Sequence, residues 1–114
     1  MASKEIRYKE HTFKLSYELV NPTQEKVILV LHGWGSNKEI MKQAFSTTLP
    51  DYKHIYLDMP GFGKSTNEMI LTTKDYATIV QLFLDALDVS ATIAMGHSFG
   101  GKVSTLLNTP CLVL

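Results

Sequence analysis

The stretch Gly96-His97-Ser98-Phe99-Gly100 decides the fold that this chain is expected to adopt. It has the pattern G-x-S-x-G, which is typical of a sharp turn between a strand and a helix. Residues 91–95, which favour a strand, precede the turn, and residues 99–107, which are compatible with a helix, follow it. The backbone of such a turn approaches its neighbours so closely that only glycine fits on either side, which explains Gly96 and Gly100. We expect the turn to hold the Ser98 hydroxyl above the end of a sheet.

Strands and helices are predicted to alternate on both sides of this turn. The continuous apolar run 27–31 predicts a strand buried on both faces, and residues 53–58 predict a second strand. Helices are predicted over 38–48 and over 73–88, where apolar side chains recur at helical spacing. A further apolar strand is predicted over 111–114. This alternation indicates a mostly parallel sheet with right-handed crossovers and helices on both faces.

The first twenty residues have a different pattern. Phe13, Leu15 and Tyr17 alternate with polar residues, which predicts a half-exposed strand over 12–17, and residues 6–8 predict another. Such strands suit an antiparallel edge added to a parallel sheet. The predicted fold class is therefore α/β, with a mostly parallel sheet and antiparallel strands at its N-terminal edge.

The composition argues against several classes of protein. The chain has 114 residues, enough for one domain, and 45% of them are apolar, which indicates a packed core rather than disorder. Eleven basic residues balance eleven acidic ones, so neither nucleic acid nor a membrane is an expected partner. No signal peptide is visible and no spacing suits a metal, so we expect a cytoplasmic protein without a cofactor.

The apolar strand predicted over 111–114 indicates that residues 1–114 are the N-terminal half of a single larger domain. A parallel strand at this position expects a further crossover and another strand, because Leu112 and Leu114 would otherwise face water along an open edge. Cys111, in the same apolar run, is expected to be a small buried hydrophobic residue. His54, in the predicted strand 53–58, is expected at the surface or edge of the sheet.

Three linked motifs resemble those of the α/β-hydrolase superfamily. They are Leu31-His32-Gly33-Trp34-Gly35, Asp58-Met59-Pro60-Gly61-Phe62-Gly63-Lys64-Ser65 and Gly96-His97-Ser98-Phe99-Gly100-Gly101, and the likeness extends over residues 5–114. Among subfamilies, the motifs are similar to those of the small bacterial pimeloyl-acyl-carrier methyl ester esterases. They also resemble those of the hydrolases that cleave meta-ring-fission products. The resemblance implies the α/β-hydrolase fold and hydrolase chemistry at Ser98.

The implied chemistry is that of a serine esterase. Ser98 would attack the acyl carbon of a small carboxylic ester and form an acyl-enzyme. The oxygen that becomes negative needs preorganised donors, and the backbone N–H of Phe99 would supply one. By resemblance, the N–H of Trp34 supplies the second, and loss of one such donor typically costs about 3–4 kcal/mol. Gly33 and Gly35 would let this oxyanion-hole loop approach the serine.

Residues next to these groups are expected to have structural roles. His97 adjoins Ser98 but projects in a different direction at a tight turn, so it is not the expected base. His32 is expected to brace the oxyanion loop through backbone contacts, and Asp58 to stabilise its own turn. Two roles stay open for the Trp34 side chain, which would line the acyl pocket or pack within the loop.

The acid and the histidine of the triad follow the serine along the chain in α/β hydrolases. No Asp, Glu or His stands among residues 99–114. We therefore expect the chain to carry the nucleophile and the oxyanion hole without activation, to turn over little or no substrate alone, and to have the rest of the domain as its partner. Two alternatives stay open: a non-catalytic hydrolase-like binding module, and a hydrolase of carbon–carbon bonds in meta-cleavage products.

Overall fold

The computed structural model describes residues 2–114, in which strands alternate with helices from residue 26 onward. The elements in chain order are β1 (Ala2–Tyr8), β2 (His11–Val20), β3 (Lys26–Leu31), α1 (Lys38–Phe45), β4 (Tyr52–Leu57), α2 (Thr73–Ala86), β5 (Ile93–Gly96), α3 (Phe99–Thr105) and β6 (Cys111–Val113). Each strand and helix predicted from the sequence is present, with boundaries shifted by a few residues.

The described strands form one mixed sheet in the order β1-β2-β4-β3-β5-β6. Strand β3 runs parallel to β4 and to β5, and β5 runs parallel to β6. Strand β2 is antiparallel to both β1 and β4. The predicted fold class, a mostly parallel sheet with antiparallel strands at its N-terminal edge, is therefore confirmed.

Strand β3 lies at the centre and contributes to two separate apolar layers. Its alternate residues Val27, Leu29 and Leu31 belong to the larger layer, which is covered by α2 and α3. The residues between them, Ile28 and Val30, belong to a smaller layer under α1. Both faces of β3 are thus buried, which is why its sequence is continuously apolar rather than alternating.

The antiparallel edge is longer than the sequence pattern predicts. Strands β1 and β2 pair from Ala2 opposite Tyr17 to Tyr8 opposite His11. Lys9 and Glu10 form the turn between them with φ values of 49° and 67°. A two-residue turn with two positive φ angles usually contains Asn or Gly, so this hairpin lacks its ordinary sequence signal.

Side-chain caps fix the first turns of α1 and α2. Asn37 accepts a hydrogen bond from the N–H of Ile40 at 3.2 Å at the start of α1. Thr72 and Asp75 form a reciprocal capping box at the start of α2. The Tyr8 hydroxyl also donates to the Asp75 carboxylate at 2.5 Å, so the same cap ties α2 to the edge hairpin.

Two expectations about burial are wrong. His54 is only 1% exposed, because β4 lies between β2 and β3 rather than at an edge. Its ring bonds the Tyr56 hydroxyl at 2.6 Å and the Leu49 carbonyl at 3.0 Å. Cys111 is exposed, because β6 is the outermost described strand and pairs only with β5. The exposed Leu112 and Leu114 agree with the expectation of an open edge.

Across residues 2–114, no helix has both the length and the apolar character needed to cross a membrane.

Candidate active site

The motifs that carry the resemblance meet where the carboxyl ends of β3 and β5 lie side by side. Leu31, the last residue of β3, pairs with Gly96, the last residue of β5. The chain leaves β3 toward β4 on one side and leaves β5 toward β6 on the other. Open α/β sheets bind ligands in the crevice at such a switch point. The topology thus places Trp34 and Ser98, which follow these two strand ends, at the position where a site is expected.

Ser98 occupies the junction between β5 and α3 in an unusual backbone conformation. Its φ of 54° and ψ of −115° lie outside the regions that non-glycine residues ordinarily adopt. Such a conformation costs about 1–3 kcal/mol and persists only where the surroundings enforce it. The residue is exposed, and its side chain makes no capping hydrogen bond at the start of α3. The hydroxyl is therefore open to an incoming group.

Close backbone packing enforces this conformation. A Cβ atom on Gly96 would overlap the backbone of Gly100, and one on Gly100 would overlap the carbonyls of Leu31 and His32. The Ser98 N–H donates to the Leu114 carbonyl at 3.2 Å, which ties the junction to the end of β6. The junction can therefore bring β5 and α3 together only with glycine at these two positions.

The loop after β3, residues 32–37, lies against this junction and is called the β3 loop below. A Cβ atom on Gly33 would lie 3.1 Å from His97 Nδ1 and 3.6 Å from the Ser98 Cβ, so Gly33 allows the close approach. Gly35 has a different role from the one expected. A Cβ atom on Gly35 would meet no atom within 4 Å beyond its chain neighbours, and its φ of 77° shows that the turn itself requires glycine.

Two backbone amides beside the serine have free N–H groups. Within residues 2–114, the amides of Trp34 and Phe99 donate no hydrogen bond. Of the amides close to them, Ser36 donates to Gly33 at 3.1 Å and Gly100 donates to His97 at 3.0 Å, whereas those of Gly33, Gly35 and Gly101 also donate no hydrogen bond within residues 2–114. The free N–H of Phe99 directly follows Ser98 along the chain, and that of Trp34 follows Gly33, which lies against Ser98.

An aromatic cluster lies beside the serine. The Trp34 ring packs edge-to-face on Phe62 and Phe99, with centroid distances of 4.8 and 5.0 Å, and Tyr76 lies 5.1 Å from Phe99. Trp34 is nevertheless 65% exposed. Its ring thus packs against aromatic side chains from outside its own loop, while most of its surface stays exposed to solvent.

His32 is fully buried and bonds only backbone atoms, as expected from the sequence. Its Nδ1 lies 2.7 Å from the Gly33 carbonyl, and its Nε2 accepts the Met59 N–H at 3.0 Å. These contacts require a neutral ring with the proton on Nδ1. Burial lowers the pKa of His32, although the contact with Gly33 opposes that shift. The ring therefore joins the β3 loop to the chain after β4 in its uncharged form.

Asp58 has a wider role than stabilising its own turn. Its carboxylate accepts the Lys64 N–H of that turn at 3.0 Å, but it also pairs with the buried Lys38 ammonium at 2.8 Å. Sequence reasoning missed Lys38, since a lysine in the first turn of an amphipathic helix is normally solvated. Among residues 2–114, no three His, Cys, Asp or Glu side chains are grouped closely enough to bind a metal ion.

Comparison with known proteins agrees with this architecture. A profile of the α/β-hydrolase fold family matches residues 26–107. The chain is 35% identical over 78 residues to the pimeloyl-[acyl-carrier protein] methyl ester esterase of Photobacterium profundum, and this match covers 68% of the chain and 29% of that protein. It is 38% identical over 79 residues to the protein of the same name from Proteus mirabilis, with the same coverage.

A solved structure shows the same fold. An esterase from Thermogutta terrifontis superposes with a TM-score of 0.81 at 19% sequence identity, over 93% of this chain and 40% of that one. The chain thus spans less than half the length of the proteins that it matches. Because the profile includes β3, the Asp58 motif and the junction at Ser98, the chain belongs to the α/β-hydrolase fold family.

Proposed function

We propose that this protein hydrolyses small carboxylic esters through an acyl-enzyme formed on Ser98. The observation that carries the proposal is the strained, exposed serine at φ 54°, beside two amides that donate to nothing within the described residues. Strain of this kind is retained where the surrounding structure requires it, and it clusters at reactive sites. The similarity to methyl ester esterases supports an ester as the substrate class.

The chemistry follows from the arrangement of these groups. The Ser98 oxygen attacks the ester carbonyl carbon, the carbonyl oxygen takes the negative charge, and the Trp34 and Phe99 N–H groups donate to it. Collapse of this intermediate expels the alcohol, which takes up the proton lost by the Ser98 hydroxyl, and leaves an acyl group on Ser98. Water then hydrolyses this acyl-enzyme to the carboxylic acid and free Ser98. The exposed face of Trp34, with Phe62 beside it, suits an apolar acyl or alcohol group.

Activation of Ser98 is proposed to come from residues outside this chain. No acidic residue or histidine follows Ser98 in the sequence, whereas the triad of this fold runs from serine to acid to histidine. The chain covers 29% of the methyl ester esterases it matches. We therefore propose that residues 1–114 are the N-terminal part of one hydrolase domain and have little turnover alone.

Labelling with a fluorophosphonate tests the nucleophile without requiring turnover. We expect slow phosphonylation at Ser98, located by peptide mass spectrometry, because sites that lack a triad member still retain about 10³–10⁴-fold acceleration over water. Ser98→Ala should abolish the adduct, while the exposed Ser90→Ala should leave it unchanged. A folded protein with no adduct at Ser98, or with equal adducts on other serines, would favour the non-catalytic binding module instead.

A further inference from the structure

We propose that Lys38 is a positioning residue, whose buried ammonium group holds the β3 loop against the loop after β4 and thereby sets the place of the Trp34 amide. The second loop, residues 58–65, is called the β4 loop below. This inference rests on the proposed function for its catalytic meaning, but the contact between the two loops can be tested separately.

Lys38 binds the Asp58 carboxylate through both its backbone N–H and its side-chain ammonium group. Its Nζ lies 2.8 Å from Asp58 Oδ2 with both side chains fully buried, and its backbone N–H donates to Asp58 Oδ1 at 2.7 Å. Glu39 provides a second carboxylate oxygen 2.7 Å from the same Nζ. Both ends of Lys38 are thus fixed to one carboxylate that belongs to another loop.

Asp58 is in turn fixed by the β4 loop. Its Oδ2 also accepts the Lys64 N–H at 3.0 Å, and its backbone carbonyl accepts the Ser65 hydroxyl at 2.6 Å. A Cβ atom on Gly63 would overlap the Asp58 carboxylate, so the loop folds tightly around it. Movement of this carboxylate would therefore require the whole β4 loop to move.

Two further contacts between the β3 loop and the β4 loop lie close to Trp34 in the sequence or involve its ring. The Met59 N–H donates to His32 at the start of the β3 loop, and the Trp34 ring rests on Phe62 of the β4 loop. The Ser36 N–H donates back to Gly33, which makes the segment between His32 and Lys38 a compact turn. The Trp34 amide thus lies between two anchors, His32 on one side and Lys38 on the other.

The charge of Lys38 serves to fix the arrangement of the two loops more than to raise the free energy of unfolding. A buried ion pair seldom stabilises a fold more than a well-packed apolar pair would, because desolvation offsets the attraction. Burial alone would lower the pKa of Lys38, but the hydrogen bonds to Asp58 and Glu39 raise it overall, so the group stays charged. A charged ammonium needs its acceptors in fixed places, and it therefore specifies one loop arrangement.

Lys42 provides a matched control on the same helix. It pairs with Glu18 at 3.1 Å, but its side chain is 38% exposed and its partner belongs to β2. Exchange of Lys42 for methionine therefore removes a partly exposed ion pair of the same helix without touching either loop. An effect that Lys38→Met shows and Lys42→Met does not then arises from the contacts of the buried Lys38 ammonium with Asp58 and Glu39.

The test uses Trp34, the single tryptophan of the chain, as the reporter. In Lys38→Met with unchanged far-UV circular dichroism, we expect stronger acrylamide quenching of Trp34 fluorescence. Amide exchange should become at least about tenfold faster in both loops together, at Ser36, Met59 and Lys64. Lys42→Met should match the unmodified protein in both measurements. Unchanged quenching and exchange in folded Lys38→Met, or equal changes in Lys42→Met, would overturn the proposal.

If the Lys38→Met protein does not fold, amide exchange of the unmodified protein provides a second test. The amides of Lys38, Met59 and Lys64 should then exchange with one common opening free energy, because a single linkage protects all three. Independent openings at these amides would contradict a shared constraint.

Catalysis gives a third readout that separates this inference from the proposed function. In any form with Ser98-dependent esterase turnover, Lys38→Met should lower kcat by about 10–100-fold with little change in KM, because a displaced donor acts on the transition state. An equal kcat in the folded variant would overturn the positioning role. Absence of turnover in every form would instead reject the proposed function, and the fluorescence and exchange results would still decide the contact between the loops.

Discussion

The two halves of the candidate site are held in place by different physics. The junction at Ser98 is fixed by steric fit, because Gly96 and Gly100 leave no room for a side chain against the neighbouring backbone. The β3 loop is fixed by buried polar groups, namely His32 and the Lys38–Asp58 pair. A site held by steric fit is destabilised by an added atom but not by a change of charge. A site held by buried polar contacts is destabilised when one partner is removed or changes its protonation state. The two halves should therefore fail under different perturbations.

The largest effect expected from this difference concerns an added methyl group. Gly100→Ala should destabilise the protein by about 3 kcal/mol, because its Cβ would overlap the carbonyls of Leu31 and His32. Gly35→Ala adds the same methyl group where nothing lies within 4 Å, so only its positive φ matters and about 1 kcal/mol is expected. Urea unfolding of both variants measures the difference. Equal losses would show that steric fit does not control the junction.

A smaller effect of opposite sign is expected at Ser98. Ser98→Gly should stabilise the fold by about 1 kcal/mol, since glycine tolerates φ 54° and ψ −115°, although its flexible unfolded chain offsets part of the gain. Ser98→Ala should give no such gain, because alanine meets the same backbone restriction. Thermal unfolding of the two variants compares them directly. A glycine variant no more stable than the alanine variant would mean that the junction stores no strain.

The smallest effect is a dependence on pH that belongs to the β3 loop. The pKa of His32 is lowered in the folded protein from an ordinary value of 6.5 because the ring is buried. As the pH falls below about 6.5, the unfolded chain takes up a proton that folded His32 does not, so stability present above that pH is progressively lost.

Urea midpoints at about pH 7.5 and about pH 5.5 measure this loss. The other three histidines of the chain remain in His32→Gln, so this variant is the control. Its stability should fall less on acidification than that of the unmodified protein. An identical fall in both proteins would remove His32 as the source of the effect.

The sequence predicted those parts of the fold that depend on local pattern. The apolar run of β3 and the helical stripe of α2 are strong periodic signals, and the glycines around Ser98 report a close approach of the backbone. The β1–β2 turn escaped prediction because Lys9 and Glu10 adopt positive φ angles that their side chains do not favour.

Other features depend on contacts between distant residues, which no local pattern records. His54 was misplaced because the sequence does not show that β4 lies between β2 and β3. The pairing of Lys38 with Asp58 joins residues twenty positions apart, and neither the helical pattern around Lys38 nor the turn after Asp58 indicates it. Phe62 and Tyr76 contact the Trp34 cluster from separate segments, so the apolar surface beside Ser98 emerged only in three dimensions.

The hydrogen bond from the Ser98 amide to the Leu114 carbonyl links the proposed nucleophile to the end of the outermost described strand. The amide of Leu114 completes the connection by donating to Gly96 at 2.9 Å. Whenever β6 separates from β5, the amide proton of Ser98 becomes free to exchange with solvent deuterium. The exchange protection of that single amide proton therefore reports how stably β6 pairs with β5, and hence how rigidly Ser98 is held in its position.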